Sequence, residues 1–196
     1  MSSLLPKVDI ARANPIEVAD RNVRRFTVRA LGENDGGAFK ALRLEALRTD
    51  GNYFGTSYDE ERELTSDQWR QRCKRDDGHC IFGLFDGSKL IGVMEATKCS
   101  EAEEGKTVLW GSAYLDRAYR GKGIAAPLYE ARHAWSKQRF DFAIFFIREG
   151  NRRSTEIHRK QGAEHTHDEP KRWADGTVAI AQWYRTQLAS PAPGTV

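Results

Sequence analysis

The sequence predicts one α+β domain in which sheet and helices interleave along the chain. Three stretches carry that expectation. Residues 107–115 are β-branched and aromatic, and they run through the glycine loop Arg120-Gly-Lys-Gly123 into a helical stripe of Ile124, Leu128, Ala131 and Trp135. Residues 80–85 and 89–97 flank Asp86-Gly-Ser88, which reads as a β-hairpin. Residues 142–147 are a short apolar run of the kind buried at the centre of a sheet.

Taken in order, residues 1–24 are polar, contain Pro6 and Pro15 and lack a sustained period, so they read as an extension that is partly disordered or draped on the surface. Residues 25–31 alternate Phe26, Val28 and Ala30 with Thr27 and Arg29, the pattern of a strand. A turn follows. Phe39, Leu42, Ala46 and Leu47 then share one face of a helix over 38–48, and Asp50-Gly-Asn52 stops it. The aromatic stretch 53–58 connects to a charged surface helix over 59–74 and is a candidate wall for an acceptor pocket. The hairpin comes next, then a polar link over 100–106 and the strand before the glycine loop. After 142–147 the sequence gives a helix over 152–161 closed by Gly162, a loop or weak strand over 163–173, and a last strand over 177–188. Residues 190–196 read as a frayed tail, leaving 25–189 as the domain.

Composition narrows the function. At 196 residues the chain is long enough for one domain with a real core. No apolar run approaches the roughly 20 residues of a membrane helix, and the N-terminus has no apolar signal core, so a cytoplasmic protein without a membrane partner is expected. A net charge of +3 does not call for nucleic acid. Cys73, Cys80 and Cys99 fit neither a disulfide framework nor a zinc pattern and are expected to be inert thiols. His165 and His167 lack a third ligand nearby, so no metal is expected; His79 and His133 read as surface residues.

The chemistry gathers at Tyr114-Leu-Asp-Arg-Ala-Tyr-Arg-Gly-Lys-Gly-Ile-Ala125. Gly121 and Gly123 let the backbone turn tightly and a ligand approach. The N–H groups of the following helix's first turn have no partner within the helix, and its dipole makes that end positive. With Arg117, Arg120 and Lys122 this makes a site for a phosphate or pyrophosphate; the alternative is a basic surface turn. It is not a Walker loop, which needs four residues between its glycines and Ser or Thr after the Lys. A dinucleotide fingerprint tolerates Ala126 in its third position, but the preceding Arg and the late place in the chain suit it poorly.

Arg120-Gly-Lys-Gly-Ile-Ala125 resembles the Arg/Gln-x-x-Gly-x-Gly/Ala loop of the GNAT superfamily of N-acetyltransferases, with Arg120, Gly123 and Ala125 at the motif positions. Asn151-Arg-Arg-Ser-Thr-Glu-Ile-His-Arg-Lys-Gln-Gly-Ala163 is similar to the family's second motif, Asn-x-x-Ala-x-x-Leu-Tyr-x-x-x-Gly-Phe. Asn151, Ile157 and Gly162 match it, while Ser154, His158 and Ala163 take the Ala, Tyr and Phe slots. The resemblance implies a mixed, mostly antiparallel sheet with helices on both faces. It also implies a parallel pair of strands that splays to admit the pantetheine arm of acetyl-CoA. Cofactor contacts then fall on Tyr114, Leu115, Asp116, Arg117, Arg120, Gly121, Lys122, Gly123, Ile124 and Ala125, with Asn151, Ser154 and His158 along the arm. Asn151 also suits a plain helix cap.

The implied reaction is attack of a primary amine on the thioester in a ternary complex. His158, in place of the family's Tyr, is the candidate acid that protonates the leaving thiolate; structural packing is its other reading. Glu95, on the hairpin strand facing the cofactor strand, is the candidate base, directly or through water. A backbone N–H near Leu115 would hold the oxyanion. Trp173 and Tyr184 either border the acceptor or pack in the core. The acceptor expected is a small-molecule amine, with a protein or peptide amine, or a non-catalytic acyl-CoA-binding module, as alternatives. A homodimer through the last strand is compatible with the sequence.

Overall fold

The computed structural model describes residues 16–19, 25–99 and 106–188. Their elements are, in order, β1 (Ile16–Ala19), β2 (Arg25–Ala30), α1 (Gly36–Asp50), α2 (Tyr58–Arg62), α3 (Ser66–Arg72), β3 (His79–Asp86), β4 (Lys89–Lys98), β5 (Thr107–Leu115), α4 (Ala126–Lys137), β6 (Phe142–Arg148), α5 (Arg152–Lys160), β7 (Glu164–Arg172) and β8 (Val178–Gln187). The strands form one sheet in the order β1-β2-β3-β4-β5-β6-β8-β7, antiparallel throughout except between β5 and β6. None of the described helices is long and apolar enough to cross a membrane.

Both faces of the sheet are covered, which is why β3 and β4 read as nearly continuous apolar runs. On one face α1 and α3 bury Phe39, Leu42, Ala46 and Trp69 against Ile81, Phe85, Leu90 and Val93. On the other, Leu128, Ala131 and Trp135 of α4 pack on Phe82, Leu84, Ile91 and Met94. The helix α5 lies on that second face, since the His158 ring meets both Phe145 of β6 and Tyr129 of α4. The expected stripe Ile124, Leu128, Ala131, Trp135 is buried throughout.

Several expectations change. Ile16–Ala19, within the expected extension, pairs with β2 as an edge strand; residues 1–15 and 20–24, the link 100–105 and the tail lie outside the described residues. The single helix expected over 59–74 is two. Ser57 and Thr65 each cap a new helix start, exchanging hydrogen bonds with Glu60 and Gln68 in two capping boxes. The second of these helices is no mere surface element, because Trp69 is buried edge-on against Phe39 at 5.5 Å. Residues 164–172 are a full strand at the sheet edge, with β8 inside it, so the last strand in the chain is not the one exposed for pairing. Cys73 and Cys80 are buried and Cys99 half-buried, all as free thiols; burial pushes the Cys73 thiol up to about 12.

Two irregularities position the site. The pairing of β5 with β6 runs only from Thr107–Phe142 to Leu109–Ile144, after which the strands part. On the other side of β5, Gly111 pairs with Glu95 but Tyr114 pairs with Val93, so β5 carries one extra residue. That bulge holds Ser112 at φ +49°, a left-handed conformation that costs a non-glycine residue of order 1 kcal/mol.

Candidate active site

The glycine loop follows β5 directly. Gly121 and Gly123 have φ +80° and +77°. A Cβ at either would meet nothing within 4 Å, so the need for glycine is conformational and the concave side is open. Among the described residues, no hydrogen bond uses the backbone N–H of Gly121, Lys122, Gly123, Ile124 or Ala125. These donors lead into the N-terminus of α4, while buried Ile124 anchors the loop from beneath. A row of unpaired N–H groups at the positive end of a helix is a fitting cradle for a diphosphate.

The charged residues of the loop divide by role. Asp116 is turned inward: Oδ1 accepts from the Ala118 N–H at 2.9 Å and Oδ2 meets Lys89 Nζ at 3.0 Å, so it braces the short 3-10 turn at Arg117–Tyr119. Arg117 and Arg120 both reach Asp50, at 2.7 and 2.6 Å, and Arg120 Nε also donates to the Leu115 carbonyl at 2.8 Å. Burial opposes ionisation of Asp50, but the two guanidinium groups hold its carboxyl below the usual range. One carboxylate against two cations leaves the loop net positive. Exposed Lys122 lies over the Tyr119 ring at 5.3 Å.

From the loop a cleft of about 430 Å³ runs between the end of β5 and α5. Tyr114, Leu115, Arg120 and Ala125 line one end; Asn151, Ser154 and Ile157 line the other. The two sequence motifs thus meet across one groove. Asn151 caps α5, its side-chain oxygen accepting from the Ser154 N–H at 3.3 Å.

Where the strands part, a second cavity of about 390 Å³ adjoins the cleft, sharing Tyr53, Phe54, Ala113, Asn151 and Ser154 with it. Glu95 and His158 both line this cavity, and the aromatic stretch 53–56 forms its outer wall. Trp173 and Tyr184 do not; both are buried, Trp173 donating to the Ala179 carbonyl and Tyr184 stacking on Phe145.

Glu95 is held by two residues that the sequence does not connect to the chemistry. Ser112 donates to Oε2 at 2.6 Å from the bulge, and His79 Nε2 meets Oε1 at 3.1 Å. His79 Nδ1 faces the Lys74 carbonyl at 3.0 Å, and the bonds to Glu95 and to this carbonyl favour the protonated ring and raise its pKa, against the opposing effect of burial. Burial works against the Glu95 carboxylate, yet His79 and Ser112 keep its pKa below the ordinary value. His79 was expected at the surface and is half-buried instead. The hairpin register pairs Ile81 with Glu95, which puts His79 two residues away on the same face.

His158 is 5% exposed, packed 4.3 Å from the Phe145 ring. Its Nδ1 lies 2.9 Å from the Ser154 carbonyl, which can only accept. Nδ1 therefore carries the hydrogen and Nε2 keeps its lone pair. Burial drives the pKa down to about 4, with Arg132 adding to the effect, so the ring is neutral at physiological pH.

The family model for the acetyltransferase (GNAT) family matches residues 43–163, more than half of the chain. The chain belongs to the GNAT acetyltransferase family. It is an acetyl-CoA-dependent N-acetyltransferase. A comparison with curated proteins finds no significant match.

The GNAT fold is also that of its structural neighbours. A GNAT-family acetyltransferase from Streptococcus pneumoniae superposes with a TM-score of 0.73 at 14% identity, over 83% of this chain and 99% of the other. A putative acetyltransferase from Salmonella typhimurium, solved with acetyl-CoA, gives 0.72 at 17% identity over 87% and 99%. The ribosomal-protein-S18-alanine N-acetyltransferase of Escherichia coli gives 0.65 at 11% over 87% and 99%. At such identities these likenesses show the fold alone, and the site of this acetyltransferase has to be argued from its own residues.

Proposed function

We propose that this acetyltransferase moves an acetyl group from acetyl-CoA to a primary amine of a small molecule, by direct attack within a ternary complex. The observation that carries the reading is the joint presence of Glu95 and His158 on one cavity of about 390 Å³ at the inner end of the cleft. A space of that size suits a small acceptor.

In this reading the free N–H groups of residues 121–125 hold the diphosphate, and Asn151 and Ser154 flank the pantetheine arm. The bound cofactor contributes a thioester carbonyl activated toward an amine. Arg117 and Arg120 act chiefly by tying the loop to Asp50. Glu95, ionised across the physiological range, draws the acceptor ammonium and takes part in its deprotonation, directly or through water. His158 Nε2, unprotonated, must gain a proton before it can give one. It is therefore assigned as a relay that accepts from the attacking amine and then donates to the departing thiolate. A backbone N–H near Leu115 remains the candidate for the oxyanion. Holding the two reactants together in the gap supplies much of the rest.

The cavity is not the strongly acidic cleft that would select polycations. Arg43, Arg72, Arg132 and Arg148 line it beside Glu61 and Glu95. An acceptor with one amine and a polar or anionic remainder fits it better than a polyamine. Release of free CoA thiol across a panel of small amines, amino acids and N-terminal peptides tests the assignment. Turnover confined to peptides or proteins would move it to the protein-acetylating alternative, and no turnover with any acceptor would leave the binding-module reading.

A further inference from the structure

Arg132 of α4 helps to keep His158 neutral but is given no contact with either reactant above, and its surroundings are unusual for a cation. It is 2% exposed. Its guanidinium lies 4.2 Å from the Trp110 ring centroid and 5.5 Å from that of Tyr129. Nε is buried without a hydrogen-bond partner, and among the described residues no acceptor or carboxylate meets the group. Burial lowers its pKa to about 10, which still leaves it charged at neutral pH.

A buried cation without a counter-charge is costly, and the fold meets that cost elsewhere. Arg43, also buried, has Glu61 at 2.7 Å. Arg132 differs in where it stands. It lines the cavity that holds Glu95 and His158, and it also lines a second cavity of about 510 Å³ formed with Ala126, Tyr129, His133, Gln161, Thr186 and Glu130, whose carboxylate makes no ion pair with it. Trp110 and Arg132 are the residues the two cavities share, so the guanidinium sits at their junction with aromatic walls around it. Its fork of donors matches a carboxylate, and the apolar walls strengthen such a pair.

We propose that Arg132 is a carboxylate-recognition site at the inner end of the reaction cavity, filled by a carboxylate that one of the two substrates carries. The carrier is either the acyl chain of a donor, as in a mono-CoA thioester of a short dicarboxylic acid, or the amine acceptor, as in an amino acid. The inference rests on the acyl-transfer reading of the cavity. The bond changes are those of any such transfer: the amine nitrogen forms a bond to the thioester carbon, the carbon–sulfur bond breaks, the ammonium proton passes to the enzyme and the thiolate leaves protonated as CoA. The carboxylate on Arg132 takes no part in them; it selects and orients.

The experiment compares matched substrates on the full chain. Acetyl-CoA and propionyl-CoA are set against malonyl-CoA and succinyl-CoA, and simple amines against amino acids that add only a carboxylate. Both turnover and calorimetric binding are read, with Arg132→Met and Arg132→Lys alongside the parent. The parent should favour one carboxylate-bearing series by about 10- to 100-fold, the worth of a charge-assisted hydrogen bond. Arg132→Met should bring that ratio to about one, and Arg132→Lys should restore part of it. The responding series names the carrier. Arg132→Met should melt no lower than the parent, since it removes an unpaired buried charge. Equal handling of charged and neutral members of both series, or a preference that survives in Arg132→Met, overturns the proposal. Absence of turnover with every pair counts against the catalytic reading, and the binding ratios then still decide the role of Arg132.

Discussion

Replacing His158 by Phe tests the neutral, buried imidazole through stability as well as activity. Phe keeps an aromatic ring against Phe145 and removes the titrating group. The folded-state pKa of about 4 lies below the ordinary value of 6.5 because burial penalises the charged ring. Above pH 6.5 the ring is neutral in both states and adds no pH dependence. As the pH falls from 6.5 toward 4 the unfolded chain takes up a proton that the native ring refuses, so the parent loses stability over that window. The interval of 6.5 to about 4 corresponds to a loss of about 3 kcal/mol, at 1.36 kcal/mol per unit. Urea unfolding of parent and His158→Phe at intervals between pH 7 and 4 measures the difference. The parent should weaken relative to the variant by that amount, with most of the change below pH 6. In parallel, turnover of the best amine should fall by roughly 10²- to 10⁴-fold in the variant while acetyl-CoA affinity stays nearly constant. Parallel stability curves would refute the buried neutral ring, and undiminished turnover would refute the relay.

Glu95→Gln leaves a neutral side chain beside His79, and kcat should drop by roughly 10²-fold or more; full activity would remove Glu95 from the chemistry. Glu61 is the shared partner of Arg43 and Arg72, and Glu61→Gln should lower unfolding free energy by about 3–5 kcal/mol, measured in urea at pH 7. Burial opposes its charge, but those arginines and Thr56 hold its pKa at about 2, so its contribution is complete above pH 4.5 and fades as the pH falls toward 2. Asn151→Ala should cost about 1 kcal/mol of stability through the lost α5 cap and should raise KM for acetyl-CoA; a change in stability without a change in KM would confine Asn151 to capping.

The parts of this protein that were legible in sequence are those governed by local rules. The hairpin at Asp86-Gly87, the β5 strand, the two positive-φ glycines and the Asn151 cap each follow from a few neighbouring residues. The break between α2 and α3 was also local, since Thr65 and Gln68 form a capping box, but the surrounding charge made the segment look continuous. What escaped was set by pairing across the sheet. The role of His79 depends on Glu95 sixteen positions away, Ser112 is re-aimed by a bulge, and Arg132 is distinguished by partners it lacks. Arg120 shows the converse: its motif position was plain, but its tie to Asp50 required the fold to bring the end of α1 beneath the loop.

The most direct measurement is calorimetric titration of acetyl-CoA into the parent and into the Gly121→Val/Gly123→Val double variant, with circular dichroism confirming that both are folded. A β-branched residue resists φ near +80° by about 1–2 kcal/mol per site, so the loop should abandon the conformation that presents its N–H groups. Binding should weaken by roughly tenfold or more for each substitution, following that strain. An unchanged dissociation constant in a folded double variant would mean that the diphosphate is held somewhere else.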